Sequence, residues 1–319
     1  MPVTTGSDVI INMQWESALA DGAEADADPF VPGGNAVMDT NEVTNNGTRI
    51  YLPASNRAFD IKPGTFEGAW AISFDLTSPW FLRAILGSPT TVDNGDGTYT
   101  HTYDGDPEPF QLLEGYEGAG VERGVAGCIA QNVTVDPTVD EDTARVTMEG
   151  FFVDDGYDTP ASLTSQAEIS KSVLGYEHAT LSLDGTEEKI VRDASLSLSA
   201  NTRPYDGFGQ RTSIDYFVGA FEPTIDYTKV EDDPSPTLDD VYGASGSVGT
   251  PSTKPLTLPF DNGETGSATN EIEFGCSLTF PESRSEDGAG DSDAALEQTL
   301  NRIIGDVVVD ATNGNATAV

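Results

Sequence analysis

Alternation of apolar and polar residues runs through most of this chain. Trp70, Ile72, Phe74 and Leu76 alternate with Ala71, Ser73 and Asp75, and Ala194-Ser-Leu-Ser-Leu-Ser199 alternates serine and leucine strictly. A period of two is that of a strand with one buried face. The same pattern predicts strands at Phe110–Leu113, Ile129–Val135, Ala144–Val153, Leu256–Phe260 and Glu271–Phe280. Ala179–Gly185 reads as a strand running into an Asp-Gly turn, and Ser213–Lys229 as a long aromatic strand region broken at Gly219. Between Asp93 and Tyr103, Asn-Gly and Asp-Gly predict a hairpin on a primed turn, whose central residues need positive φ. Helical spacing is rarer. Leu296, Leu300, Ile303 and Ile304 fall at i, i+4, i+7 and i+8, which predicts a C-terminal helix capped by Ser292 or Asp293 and ended by Gly305. Gly243–Pro255 is low in apolar residues and reads as a loop.

One order of signals occurs twice. Asn46-Gly-Thr-Arg-Ile-Tyr51 is followed by Arg57, Gly64-Thr-Phe-Glu67 and the strand at Trp70–Phe74. Asn201-Thr-Arg-Pro-Tyr205 is followed by Arg211, Gly219-Ala-Phe-Glu222 and the strand Thr224–Thr228. The arginines are spaced alike, 57−49 = 8 and 211−203 = 8. Each copy then reaches Ser-Pro and a short helical stretch ending in glycine, Ser78-Pro79 to Gly87 and Ser235-Pro236 to Gly243. A fixed succession of turn, strand and helix at one offset marks a duplicated unit. Aligning Phe66 with Phe221 sets Trp70, Ile72 and Phe74 against Ile225, Tyr227 and Lys229. The opposite face then carries Ala71 and Ser73 in one copy, Asp226 and Thr228 in the other. Ser195, Ser197 and Ser199 form a further small polar face.

Charge changes the picture more than composition does. The 319 residues carry 54 acids against 15 bases, 15−54 = −39, with only five lysines. Disordered acidic chains lack aromatics, whereas 14 Phe, 10 Tyr and 3 Trp sit in the alternating segments here, so folded domains with an acidic surface are expected. Specific cation binding, repulsion of nucleic acid and solubility in concentrated salt would each produce such a surface. Acids spread over the whole sequence with scarce lysine fit the last, because about 1 M salt shortens the Debye length to about 3 Å.

No catalytic pattern is visible. The two histidines, His101 and His178, and the two cysteines, Cys128 and Cys276, are isolated, which argues against a His/Cys zinc site and for buried apolar cysteines. Phosphate-loop, nucleophile-elbow and zincin motifs are missing. Asp93-Asn-Gly-Asp-Gly97 has glycine where a calcium loop needs its third and fifth ligands. Asp140-Glu-Asp142, Glu231-Asp-Asp233 and Glu286-Asp287 read as solvated loop acids. No cofactor, metal or enzymatic activity is expected. Neither a signal peptide nor a membrane span of about 18 apolar residues is seen, so the expectation is a protein made and used in the cytosol or carried out as part of something larger.

These segments together resemble the tail tube proteins of long-tailed phages and tailed haloarchaeal viruses. In the first half the likeness rests on Gly64-Thr-Phe-Glu-Gly68, Trp80–Gly87, the hairpin Gly97–Tyr103, Pro107–Leu112 and Ala126–Val135. In the second it rests on Ala179–Gly185, Val191–Asn201 and Gly219–Glu222. The fold class implied is mainly β: two tandem tail-tube-like β-sandwich or barrel domains, each with a short flanking helix. The organisation expected is an acidic N-terminal arm over 1–35, extended from Leu19 to Asn35, a first domain over 36–165, a linker over 166–178, and a second domain over 179–319 ending in the C-terminal helix.

The resemblance implies a virion structural protein, assembled in the host cytoplasm, whose rings stack into a tube. Three copies would close a pseudo-hexameric ring if each supplies two domains, and six if only one counts. It implies as partners the tape-measure, tail terminator and baseplate proteins, with viral DNA passing the lumen without sequence-specific binding. The lumen-facing residues expected are Ser73, Ser195, Ser197, Ser199, Asp226 and Thr228. Small hydroxyls and carboxylates offer no cation to grip phosphate. A β-sandwich binding or adhesin module of a halophile, or another virion structural protein, is the competing expectation.

Overall fold

The computed structural model describes residues 9–21, 28–51, 53, 57–116, 121–138, 142–158, 172–230, 235–243, 249–287 and 297–316. The first half of the chain contains β1 (Val9–Trp15), β2 (Gly34–Tyr51), β3 (Ala58–Asp75), α1 (Arg83–Leu86), β4 (Thr90–Asp93), β5 (Tyr99–Tyr103), β6 (Phe110–Tyr116), β7 (Val121–Asp136), β8 (Arg145–Phe152) and β9 (Asp154–Asp158). The second contains β10 (Ser182–Leu183), β11 (Thr186–Glu187), β12 (Val191–Ser199), β13 (Arg203–Asp206), β14 (Ser213–Phe217), β15 (Thr224–Val230), α2 (Ser235–Tyr242), β16 (Lys254–Asp261), β17 (Asn270–Asp287), β18 (Glu297–Ile303) and β19 (Asp306–Asn313). The fold is mainly β with two short α-helices, in the manner of a β-sandwich.

Both halves connect their strands in the same way. In the first, β2–β3–β8–β7 form one layer and β1–β6–β7–β9 the other, with β7 crossing from layer to layer along its length. In the second, β12–β15–β18–β17 and β10–β16–β17–β19 repeat that order, and β17 is the crossing strand.

The registers agree over long stretches, departing by one residue where β2 bulges between Met38 and Thr40 and β12 between Val191 and Asp193. Asn41↔Trp70 corresponds to Leu196↔Ile225, a shift of 155 on both strands (196−41, 225−70). Ile72↔Met148 corresponds to Tyr227↔Leu300, adding a shift of 152 for β8 to β18 (300−148). Val133↔Met148 corresponds to Arg284↔Leu300, a shift of 151 for β7 to β17 (284−133). Even the bulge recurs, between Ala130 and Asn132 in β7 and between Pro281 and Ser283 in β17. A one-residue slip would reverse every side chain, so equal register preserves the same buried face in both halves.

Two strand pairings fuse the halves. β7 pairs antiparallel with β12, giving an eight-stranded sheet ordered β2-β3-β8-β7-β12-β15-β18-β17. In the other layer β5 pairs with β19, so the β4–β5 hairpin of the first half extends the sheet of the second. The core lies between the layers. Trp70 and Trp15 meet Phe110 edge-on at 5.2 and 5.9 Å, and Phe260 meets Phe274 at 6.1 Å. Each such buried side chain contributes roughly 1.5–3 kcal/mol relative to exposure.

The structure corrects four expectations. Glu297–Ile303 is a strand, β18, and not part of a C-terminal helix. Its inward positions are Gln298, Leu300 and Arg302, so two of three buried side chains are polar and the period of two is hidden from a hydrophobicity reading. Residues 9–15 are no arm: Ile11, Met13 and Trp15 are buried in β1, which pairs with β6, and Phe30 bridges Met13 through N–H···O bonds of 2.8 and 2.9 Å. Residues 1–8 and 22–27 of that expected arm lie outside the described residues. Within the expected linker, Leu174 is buried, donates its N–H to Leu76 O at 2.7 Å and accepts from Ala144 N at 2.9 Å; residues 166–171 lie outside the described residues. Finally, Asn94–Thr98 is a five-residue connection in which only Gly95 and Gly97 have positive φ. The primed two-residue turn occurs instead at Asp184-Gly185, both at positive φ, between β10 and β11.

Candidate functional surface

The eight-stranded sheet has one apolar and one polar face. Ile72, Val133, Val135, Val146, Met148, Leu196, Leu198, Ile225 and Tyr227 are buried toward the core. The alternate positions are mostly polar, with short hydroxyls and amides prominent, and they line up across strands. Ser73 pairs with Thr147, Thr147 with Thr134, and Thr134 with Ser197. Ser199 pairs with Asn132, and Asn132 with Glu149. Ser195 pairs with Asp226, Asp226 with Asn301, and Thr228 with Thr299. Hydrogen bonds tie neighbours on this face: Asn132 Nδ2 to Glu149 Oε1 at 2.7 Å, Asn301 Nδ2 to Asp226 Oδ1 at 2.7 Å, and Thr228 Oγ1 with Thr299 Oγ1 at 3.0 Å.

All six residues singled out from the sequence therefore share one face of one sheet. Asp226 is exposed, and Ser195, Ser197, Ser199 and Thr228 are half-buried. Ser73 differs. Arg145 Nη2 donates to its Oγ at 2.7 Å while Nη1 donates to Asp75 Oδ1 at 3.1 Å, and Ser73 is buried beneath the guanidinium. Sequence reasoning missed Arg145 because its role depends on β3 and β8 being neighbours, 72 residues apart (145−73).

The recurring Asn, Gly and Glu of the repeat also acquire a geometry. A β-carbon on Gly64 would lie 2.0 Å from Asn46 O, and one on Gly219 would lie 2.6 Å from Asn201 O. Asn46 Nδ2 donates to Glu67 Oε1 at 2.7 Å, and Asn201 Nδ2 to Glu222 Oε2 at 3.1 Å. The spacing was available in the sequence: 64−46 = 18 and 219−201 = 18.

Titratable groups elsewhere serve packing. Glu16 accepts from Gly127 N, Gln111 Nε2 and Ala20 N at 2.9, 3.0 and 3.2 Å, and burial pushes its carboxyl above the ordinary range. His101 is buried between Thr91 Oγ1 (2.8 Å) and Asn315 O (3.0 Å), and burial lowers its pKa. Cys128 and Cys276 are buried and free, and burial raises both thiols, Cys276 to about 12. Among the described residues no cluster of three or more His, Cys, Asp or Glu is arranged to hold a metal ion. A charged network lies beneath α2: Asp240 bonds both Arg302 and Lys254, and Lys229 bonds Glu188 at 2.6 Å.

No family model matches the sequence, and no curated protein does. Among solved structures, the chain is similar to the tube-terminating cap of the anti-feeding prophage, determined by cryo-electron microscopy. That likeness has 16% identity and a TM-score of 0.36, over 47% of this chain and 98% of the cap. At that level it decides nothing about function.

Proposed function

We propose that this protein is a virion structural protein, the major tail tube subunit of a tailed virus, and not an enzyme. The observation that carries the reading is the edge-to-edge fusion of two units of equal register into one sheet with a continuous polar face. A sheet that already joins two copies of its own motif is suited to closing into a barrel with further copies, which removes exposed edges.

Three copies of the chain would supply six units and 3 × 8 = 24 strands to such a barrel. At about 4.8 Å between strands and about 40° of tilt, 24 strands enclose a backbone diameter of about 50 Å, room for a DNA duplex. The face carrying Ser195, Ser197, Ser199, Asp226 and Thr228 would line that bore. Its hydroxyls and carboxylates, with Arg145 held by Asp75, give phosphate little to bind, so DNA slides through during ejection. The outer face and ends would meet the tape-measure, terminator and baseplate proteins in the virion tail. Spread acidity keeps such a particle soluble in concentrated salt, a halophilic trait.

Electron microscopy of the purified chain in molar salt tests this. Rings or hollow tubes with a bore of tens of ångströms are expected; persistent monomers would overturn the reading.

A further inference from the structure

The eight-stranded sheet ends on β2 at one side and on the 280–287 segment of β17 at the other, each hydrogen-bonded along one side only among the described residues. The internal equivalence says what these edges are. β2 corresponds to β12, and β17 to β7. Inside the chain, β7 and β12 pair with each other. The unpaired edges are thus the second instance of a junction the molecule has already made once.

We infer that β17 of one copy pairs antiparallel with β2 of the next, head to tail, in the register copied from the internal junction. This rests on the tube reading and deepens it by naming the strands, residues and direction of the contact. Subtracting 155 from β12 numbers and adding 151 to β7 numbers converts the internal pairs. Asn132↔Ser199 becomes Ser283↔Thr44, and Val133↔Leu198 becomes Arg284↔Val43. Thr134↔Ser197 becomes Ser285↔Glu42, and Val135↔Leu196 becomes Glu286↔Asn41.

The chemistry of the two junctions differs in a way that fits one being permanent and the other made on assembly. The internal seam buries Val133, Val135, Leu196 and Leu198, all fully enclosed. On the edges the corresponding side chains are Arg284, Glu286, Asn41 and Val43. Arg284 donates to Gln298 Oε1 at 2.9 Å and to Glu286 Oε2 at 3.0 Å. Asn41 donates to Glu114 Oε2 at 3.3 Å, while its own Oδ1 is shielded from solvent with no hydrogen-bond partner. The guanidinium of Arg284, arriving opposite Val43, stands diagonal to that orphaned acceptor and to Glu114. Inward charges on a lone chain discourage wrong edge pairing, and only the matching register neutralises them.

A second contact points the same way. Within the chain, Arg211 of the β13–β14 hairpin accepts from Phe66 N at 2.7 Å through its carbonyl and donates to Asn45 Oδ1 at 2.8 Å through its side chain. Arg57 holds the matching place in the first unit, so the next copy's Arg57 is carried to Gly219 and Phe221 of this one.

Paired cysteines test the register. Thr44 and Ser283 are exposed, and the native cysteines are buried. The double variant Thr44→Cys/Ser283→Cys, oxidised in molar salt, is expected to give disulfide-linked multimers. The offset control Glu42→Cys/Ser283→Cys should yield at least about ten-fold less, because a disulfide needs α-carbons within about 7 Å. Circular dichroism verifies that both variants stay folded. Particles in the microscope with the first variant linked and the control unlinked support the inference. Particles in which the control links as well or better, or neither links, overturn the register and leave the tube reading standing. Folded monomers without particles or links overturn both.

Discussion

A β-carbon at Gly64 or Gly219 would strike the carbonyl of an asparagine eighteen residues earlier, at 2.0 and 2.6 Å. Glycine is required there by close approach of two backbones, since neither residue has positive φ. Gly64→Ala and Gly219→Ala should each cost about 1–3 kcal/mol in urea unfolding, with the greater loss at Gly64, because overpacked backbone cannot move aside as a side chain does. The same scale shows how the two units diverged. Phe74 and Lys229 are equivalent, 229−74 = 155, as are Gly150 and Arg302, 302−150 = 152. One unit closes this region with a phenyl ring, and the other with Lys229, Arg302 and their carboxylates beneath α2. Glycine, arginine and lysine are legible in the sequence; which atoms they meet is not, since partners such as Asp240 and Glu188 lie 62 and 41 residues away.

Among elements, the strands with apolar inward positions were readable and those with polar inward positions were not. β3, β7, β8 and β12 follow the period of two with Trp, Ile, Val, Met and Leu inside; β8 and β12 agree with the sequence reading within three residues, while β3 and β7 begin 12 and 8 residues before the segments read (70−58, 129−121). β18 hides the same period behind Gln298 and Arg302 and imitates a helix through Leu300, Ile303 and Ile304. β1 was obscured by its setting beside a run of Asp and Ala, although Ile11, Met13 and Trp15 alternate. The short helices after Ser78-Pro79 and Ser235-Pro236 stand where the turn residues indicate. Equivalent positions on equivalent strands need not be energetically equal. Leu198 is fully buried at the β7–β12 seam, while Val43, its counterpart on β2, is 37% exposed. In dilute low-salt buffer, Leu198→Ala should lower unfolding free energy by about 2–5 kcal/mol. Val43→Ala should stay within about 0.5 kcal/mol. Denaturant titration of the two variants side by side checks the contrast.

Over the whole molecule, a net charge of −39 sets the conditions under which copies can meet. Like-charged subunits repel over a Debye length of about 30 Å at 0.01 M salt and about 3 Å at 1 M. Dialysis from molar salt to 0.01 M should therefore dissociate assemblies before the chains unfold. Light scattering would fall while the far-ultraviolet dichroism of the strands persists; scattering that held steady would contradict the salt-dependent assembly proposed above.

Alternation, turn residues and the spacing of Asn, Gly, Phe and Glu are local, so the amino-acid order alone determined a mainly β chain whose halves repeat one motif. Neighbour relations between distant strands are not local. The β7–β12 seam, the β5–β19 exchange, the guanidinium over Ser73 and the one polar face shared by six separated residues were decided only when the layers closed on a common core. Hydrophobic periodicity says which side of a strand is buried, and only the folded sheet says what lies beside it.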